Sequence, residues 1–158
     1  MPRRFEGAQR GFTLPELVMA IAIMAILGAL VGPRFMGSQA FETRGFFDEA
    51  QAVVRYAQKV AIAQRRSIVV CVAASEIRAI SNANCAAPAT LAHPLTGAPL
   101  VASTRGGATV ASSTPSLSFD GLGRPTPAPV TITFNSTVAG DPVRQITVAT
   151  ETGYVAHN

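Results

Sequence analysis

The sequence predicts an α+β protein in which one long N-terminal helix packs on a C-terminal antiparallel β-sheet. Three observations predict it: an apolar run from Phe12 to Val31, an apolar stripe at helical spacing from Phe46 to Ala61, and β-branched clusters between turn residues from Ser67 onward. The first half of the helix is expected to span a membrane and the second to be amphipathic. At 158 residues the chain suits one folded domain plus a separate N-terminal segment.

The elements follow in chain order. Residues 1–11 form a basic leader that contains Arg3, Arg4 and Arg10. The segment 12–32 follows, and from Phe12 to Val31 its single charge is Glu16. At 1.5 Å per residue such a helix extends about 30 Å, the thickness of a hydrocarbon core. The three preceding arginines place Met1 on the cytoplasmic side and send the remainder outward. Gly28, Gly32 and Pro33 loosen the helix where it would leave the bilayer, so a bend is expected at Gly32–Pro33. An ordinary secretory signal fits poorly, because its apolar region is shorter and is followed by a small-residue cleavage site. A lone carboxylate inside an apolar span costs several kcal/mol, so Glu16 calls for a cationic partner.

Residues 33–66 keep helical character as an amphipathic stem. Phe46 or Phe47, Ala50, Val53 or Val54, Ala57, Val60 and Ala61 recur at steps of three and four. Asp48, Glu49, Gln51, Arg55, Gln58, Lys59 and Arg65 occupy the other face. Acids toward the start, with Arg65 and Arg66 at the end, suit the helix dipole. Gly37 and Gly45 weaken the join between the two halves.

The cover for that stripe is expected from residues 67–158. Strands are read at 67–73, 116–120, 130–135 and 144–150, with a final strand near 152–155; "DGLGRP", "AGDP" and "ETGYV" mark turns. Residues 86–115, rich in Ala, Pro, Gly, Ser and Thr, read as a long surface connection or irregular strands. Strands that follow a helix in series favour an antiparallel sheet laid against it.

Charge and residue usage exclude several functions. The net charge of +4 rests largely on the leader; without residues 1–11 it falls to +2, too weak to propose a polyanion partner. His93 sits in a Pro-rich loop and His157 is next to the last residue, both read as solvated, and no Ser/His/Asp or Cys/His constellation is apparent. An enzyme is not expected, and neither a cofactor nor a metal. Cys71 and Cys85, fourteen positions apart, can close a disulfide loop worth about 3 kcal/mol if the chain is exported; two buried free thiols are the alternative.

The stretch "RGFTLPEL" at 10–17, followed by the apolar helix, resembles the class III signal of type IV pilins and type II secretion pseudopilins. The resemblance implies that prepilin peptidase cuts after Gly11 and that Phe12 becomes the N-methylated N-terminus. It implies too that Glu16 neutralises the N-terminal ammonium of a neighbouring subunit. Pro15 departs from the aliphatic residue usual at its place, but falls in the first helical turn, where a missing N–H costs nothing. "FDGLGRP" at 119–125 and "TGYV" at 152–155 are similar to minor subunits of GspH/FimT type, and to those of the mannose-sensitive haemagglutinin pilus. That likeness implies a lollipop-shaped minor subunit without catalytic activity, in either a pilus or a secretion pseudopilus. Its implied partners are other pilin or pseudopilin subunits, the peptidase/methyltransferase, the inner membrane and an assembly platform there. Its implied location is a single-pass bacterial inner-membrane protein with a cytoplasmic N-terminus, later a periplasmic or extracellular filament. Two alternatives remain open: a DNA-binding minor pilin for uptake, and a membrane-anchored periplasmic domain unrelated to a filament. Some FimT-like subunits bind DNA through basic residues near the C-terminus, whereas here Arg144 is the last base and few aromatics follow residue 56.

Overall fold

A computed structural model describes residues 13–35, 38–81, 84–86, 90–105 and 107–158, with side chains described for all of these except 29–35 and 38. The chain divides into two compact units, Met1–Gly37 and Ser38–Asn158, and each is taken by itself.

The first unit contains one helix, α1 (Leu14–Phe35). Thr13 opens it: the Leu17 N–H donates to the Thr13 carbonyl at 3.1 Å and closes the first turn. Pro15 lies among the first four helical residues, whose N–H groups have no partner within a helix. The helical backbone continues past Gly32 and Pro33 and ends at Phe35. A proline removes one hydrogen bond and more often bends a helix than ends it. α1 ends at Phe35 and α2 begins at Ser38, and a division and bend at Gly32–Pro33 remain expectations.

Among the described residues, the second unit is built on α2 (Ser38–Gln64) and nine strands, all paired antiparallel. The strands are β1 (Ile68–Ala73), β2 (Glu76–Ile80), β3 (Val101–Ser103), β4 (Thr109–Ser112), β5 (Ser116–Phe119), β6 (Pro125–Thr126), β7 (Val130–Asn135), β8 (Arg144–Val148) and β9 (Val155–His157). They form two sheets rather than the single sheet expected, in the orders β3-β2-β1-β5-β6 and β4-β7-β8-β9. The sheets meet where the Val110 N–H donates to the Ala74 carbonyl at 3.0 Å.

The apolar stripe of α2 is the centre of the core. Phe46, Phe47, Ala50, Val53, Val54, Ala57, Val60 and Ala61 are all buried against Ile68, Val70, Leu117 and Phe119 of one sheet and Val130, Ile132, Phe134 and Ile146 of the other. Phe134 receives Phe46 and Phe47 edge-on, with ring centroids 5.4 and 5.1 Å away, each pair adding about 0.5–1.5 kcal/mol beyond area burial. Because the helix starts at Ser38, Asp48 and Glu49 fall in its third and fourth turns, beyond reach of the dipole end. Arg65 and Arg66 lie just past its last residue.

The segment between the two cysteines, 74–85, contains β2. Ile77 and Ala79 face the main core, while Ile80 joins Val69 and Cys71 in a smaller cluster on the outer face of the sheet. The Cys71–Cys85 disulfide lays Cys85 over that cluster. The outer face of the sheet is thus covered at this cluster, while Glu76, Arg78, Ser116 and Ser118 on the same side stay half-exposed.

Candidate assembly interface

α1 presents an unusual surface for a helix with so few charges. Every described side chain from Thr13 to Gly28 is exposed, with Leu14, Met19 and Met24 more than 70% accessible. A helix that is apolar all round is expected to be buried, by lipid or by other helices. Among the described residues, no helix is long and apolar enough to cross a membrane. The apolar run in the sequence continues to Val31, beyond the residues whose side chains are described.

Glu16 lies in the first turn of α1, where the positive end of the helix dipole favours a carboxylate. It makes no ion pair among the described residues. Gly11 and Phe12, the expected cleavage junction and methylation site, lie outside the described residues.

At the far end of α2 the structure gathers three segments that the sequence showed only separately. The helix ends with Arg65 in the left-handed region (φ 47°), and the Arg66 N–H donates to the Ala61 carbonyl at 3.2 Å, a Schellman-type close. Over this end folds the turn 120–124. Asp120 Oδ1 accepts from the Leu122 and Arg124 N–H groups at 2.9 and 2.8 Å, and Oδ2 accepts from Arg124 Nε at 2.9 Å. The Arg124 backbone bond, with help from its guanidinium and from Leu122, holds the Asp120 carboxyl below the ordinary carboxylate range. A Cβ on Gly121 would lie 3.0 Å from the Arg65 carbonyl carbon, so this turn sits directly on the helix end.

The C-terminal turn 149–154 packs on the same place. Gly153 (φ 63°) comes so close that a Cβ would lie 2.1 Å from the Gly123 oxygen. Gln58 Nε2 binds the two turns together, donating to the Gly123 carbonyl at 3.1 Å and the Thr152 carbonyl at 3.0 Å. Arg55 adds a further tie, from its guanidinium to the Val155 carbonyl at 3.1 Å. "FDGLGRP" and "TGYV" are thus neighbours because one helix glutamine satisfies a carbonyl from each. Gln58 and Arg55 belong to the polar face of the stem; their one signal in the sequence is position, since each neighbours the buried stripe at Val54 and Ala57.

The other expected sites fall into place simply. Cys71 and Cys85 are joined, with Cα atoms 5.8 Å apart. His93 is half-buried rather than solvated, its Nδ1 accepting from the Leu95 and Thr96 N–H groups at 3.3 and 3.4 Å. His157 is exposed against the edge of Phe47. Among the described residues no group of His, Cys, Asp and Glu is placed to hold a metal ion.

These features have counterparts in known proteins. Residues 48–153, more than half of the chain, match the family model for the Type II transport protein GspH, and residues 7–32 match the prokaryotic N-terminal methylation motif. Among solved structures, the minor pseudopilin EpsH from the Type 2 Secretion System of Vibrio cholerae matches with a TM-score of 0.58 at 12% identity, over 74% of this chain and 96% of that one. The type IV minor pilin FimU of Pseudomonas aeruginosa matches with a TM-score of 0.53 at 18% identity, over 73% of this chain and 91% of that one. Comparison with curated proteins finds no match in sequence. The chain therefore belongs to the GspH family, with the pilin-type plan of an N-terminal helical segment and a helix packed on antiparallel sheets.

Proposed function

We propose that the chain is a minor structural subunit of a type IV pilus or type II secretion pseudopilus, assembled through its N-terminal helix. One observation carries the reading. The core of the second unit is formed by α2 and its own strands, while the described side chains of α1, from Thr13 to Gly28, are mostly apolar and all exposed. Such a surface stays in water only at a cost of about 25 cal/mol per Å², so it requires lipid before assembly and neighbouring helices afterwards.

In this reading the leader 1–11 keeps the N-terminus cytoplasmic and the segment 12–32 holds the chain in the inner membrane. Prepilin peptidase cuts between Gly11 and Phe12, and Phe12 is N-methylated. Glu16 then meets the ammonium of a neighbouring subunit as an inner-membrane platform moves the chain into a periplasmic or extracellular filament. Neutralising the charge pair removes the cost of a lone carboxylate among apolar helices. The chain performs no catalytic step of its own and needs no cofactor; it is a substrate of the processing enzyme.

The test is a Glu16→Ala variant in the native host. Membrane insertion and cleavage to Phe12, read by intact mass and N-terminal sequencing, should match the parent. The amount recovered in sheared filaments or in the assembled pseudopilus should fall at least tenfold. Normal incorporation of the variant removes the ion pair, and a chain still beginning at Met1 removes the filament reading itself.

A further inference from the structure

The outward side of α2 and the segment 93–101 border a groove with opposite charges at its two ends. We infer that it binds an extended peptide segment of a different protein, one that carries a basic residue at one end and an acidic residue about five positions away. The groove lies wholly in the second unit, so the inference goes beyond the filament reading and does not depend on it. Its volume is about 590 Å³.

The segment that the sequence offers as a surface connection is here a fixed wall. The Leu91 N–H donates to the Ala79 carbonyl of β2 at 2.8 Å, and the Leu100 N–H donates to the Leu91 carbonyl at 2.7 Å. Further out, the His93 N–H donates to the Ala98 carbonyl at 2.7 Å and the Gly97 N–H to the His93 carbonyl at 2.9 Å. Gly97 supplies the positive φ (69°) of the turn. These backbone bonds hold the wall before any ligand arrives, so binding has little to order there.

Charge is separated along the groove rather than mixed. Asp48 and Glu49 stand at one end and Lys59 at the other, all three exposed and without an ion pair among the described residues. Arg55, tied to the Val155 carbonyl, adds its charge on the Lys59 side. At about 1.5 Å per residue, Asp48 and Lys59 lie about 16 Å apart along the helix, beyond the distance at which exposed charges neutralise each other. An extended chain, at about 3.3 Å per residue, covers that length in about five residues. A ligand of one sign, such as a nucleic acid strand, would be repelled at one end.

Between the charged ends the lining suits a peptide backbone and an apolar side chain. Tyr56, Pro94 and Pro99 supply apolar surface. His93 Nδ1 already accepts from the Leu95 and Thr96 N–H groups, so in the neutral ring the Nε2–H is the remaining donor. Gln51, which also lines the groove, has a buried side-chain nitrogen with no hydrogen-bond partner among the described residues. An unpaired buried donor is destabilising, and the amide can swing toward a ligand carbonyl without that nitrogen giving up a bond.

The test titrates the purified full-length chain, in detergent micelles, with three end-blocked hexapeptides carrying an uncharged dye, read by fluorescence anisotropy. Their sequences are Lys-Ala-Leu-Ala-Ala-Glu, the same with Lys at both ends, and the same with Glu at both ends. The Lys/Glu peptide should bind at least tenfold more tightly than the other two. Reversing the acidic end with Asp48→Lys and Glu49→Lys together should make the Glu/Glu peptide the tightest of the three. Ala52→Trp, which fills the middle of the groove from an exposed position, should abolish binding of all three while leaving the urea midpoint unchanged. Equal binding of the three peptides, an order of preference that survives the charge reversal, binding that persists in Ala52→Trp, or no binding up to about 1 mM each overturns the inference.

Discussion

α1 and α2 both present long apolar surfaces, yet they spend them differently. The stripe of α2 is roofed by two sheets of its own chain, with Phe46, Phe47 and Val54 at or below 5% exposure. The described side chains of α1, from Thr13 to Gly28, are all exposed. Burial of the first kind stabilises the fold; burial of the second kind becomes available only on contact with lipid or another chain. The two helices therefore divide folding from assembly, and a substitution should affect one property or the other according to the helix it touches.

The largest effect expected is on the folding side. Phe134→Ala removes the ring on which Phe46 and Phe47 converge and should cost about 3–5 kcal/mol, seen as a lower midpoint in urea. Ile23→Ala on the exposed surface of α1 should leave that midpoint within about 0.5 kcal/mol of the parent. Equal losses in the two variants would break the division. Next in size is the disulfide: reducing Cys71–Cys85, which closes a loop across fourteen positions, should lower stability by about 3 kcal/mol. Denaturation with and without a reductant measures it, and an unchanged midpoint would show that the cluster of Val69 and Ile80 holds without the bond.

Smaller effects sharpen the comparison within the second unit. Gln58→Ala leaves the Gly123 and Thr152 carbonyls without their shared donor and should cost about 2 kcal/mol. Amide exchange should rise most in the turn closed by the Gly153 N–H and the Ala149 carbonyl. The smallest is a pH effect. Arg144, 2.9 Å from Asp141, with Ser136 assisting, holds the Asp141 carboxyl below its ordinary value of 3.8. A depressed carboxylate adds stability that is full above the ordinary value and is lost as pH falls through the lower one. Melting temperature should therefore drop as pH is taken from about 5 toward 2, and Asp141→Asn should flatten that part of the curve.

What the residues revealed in advance followed the range of the forces involved. The α2 stripe was legible because helical periodicity is local and its apolar positions all turn inward. The strand at 130–135 was legible for the same reason, each second residue being buried. β2 was not, because the hairpin that joins it to β1 turns at Ala74 and Ser75, without the Gly, Pro or Asn that announces a turn. β3 and β4, three and four residues long, are too short for a pattern and owe their pairing to partners already in place. The tie made by Gln58 spans 65 residues to Gly123 and 94 to Thr152, and no local pattern encodes a contact that long. At the assembly end the order was reversed. Leader charge, Gly–Phe junction and Glu16 are contiguous, so the motif was readable where Gly11 and Phe12 have no described structure.

The tie at the end of α2 has a mechanical meaning. In a fibre under tension, load reaching the second unit through Ser38 runs along α2 and must pass sideways into the sheets. The buried stripe resists by sliding friction of packed side chains, which yields gradually. Gln58 and Arg55 act otherwise: their bonds tie the helix to Gly123, Thr152 and Val155, three points far along the chain. They lie in the second half of the helix, where they fasten it to the sheets. A domain fastened there stretches little until it fails, a property better suited to a rigid rod than to a spring.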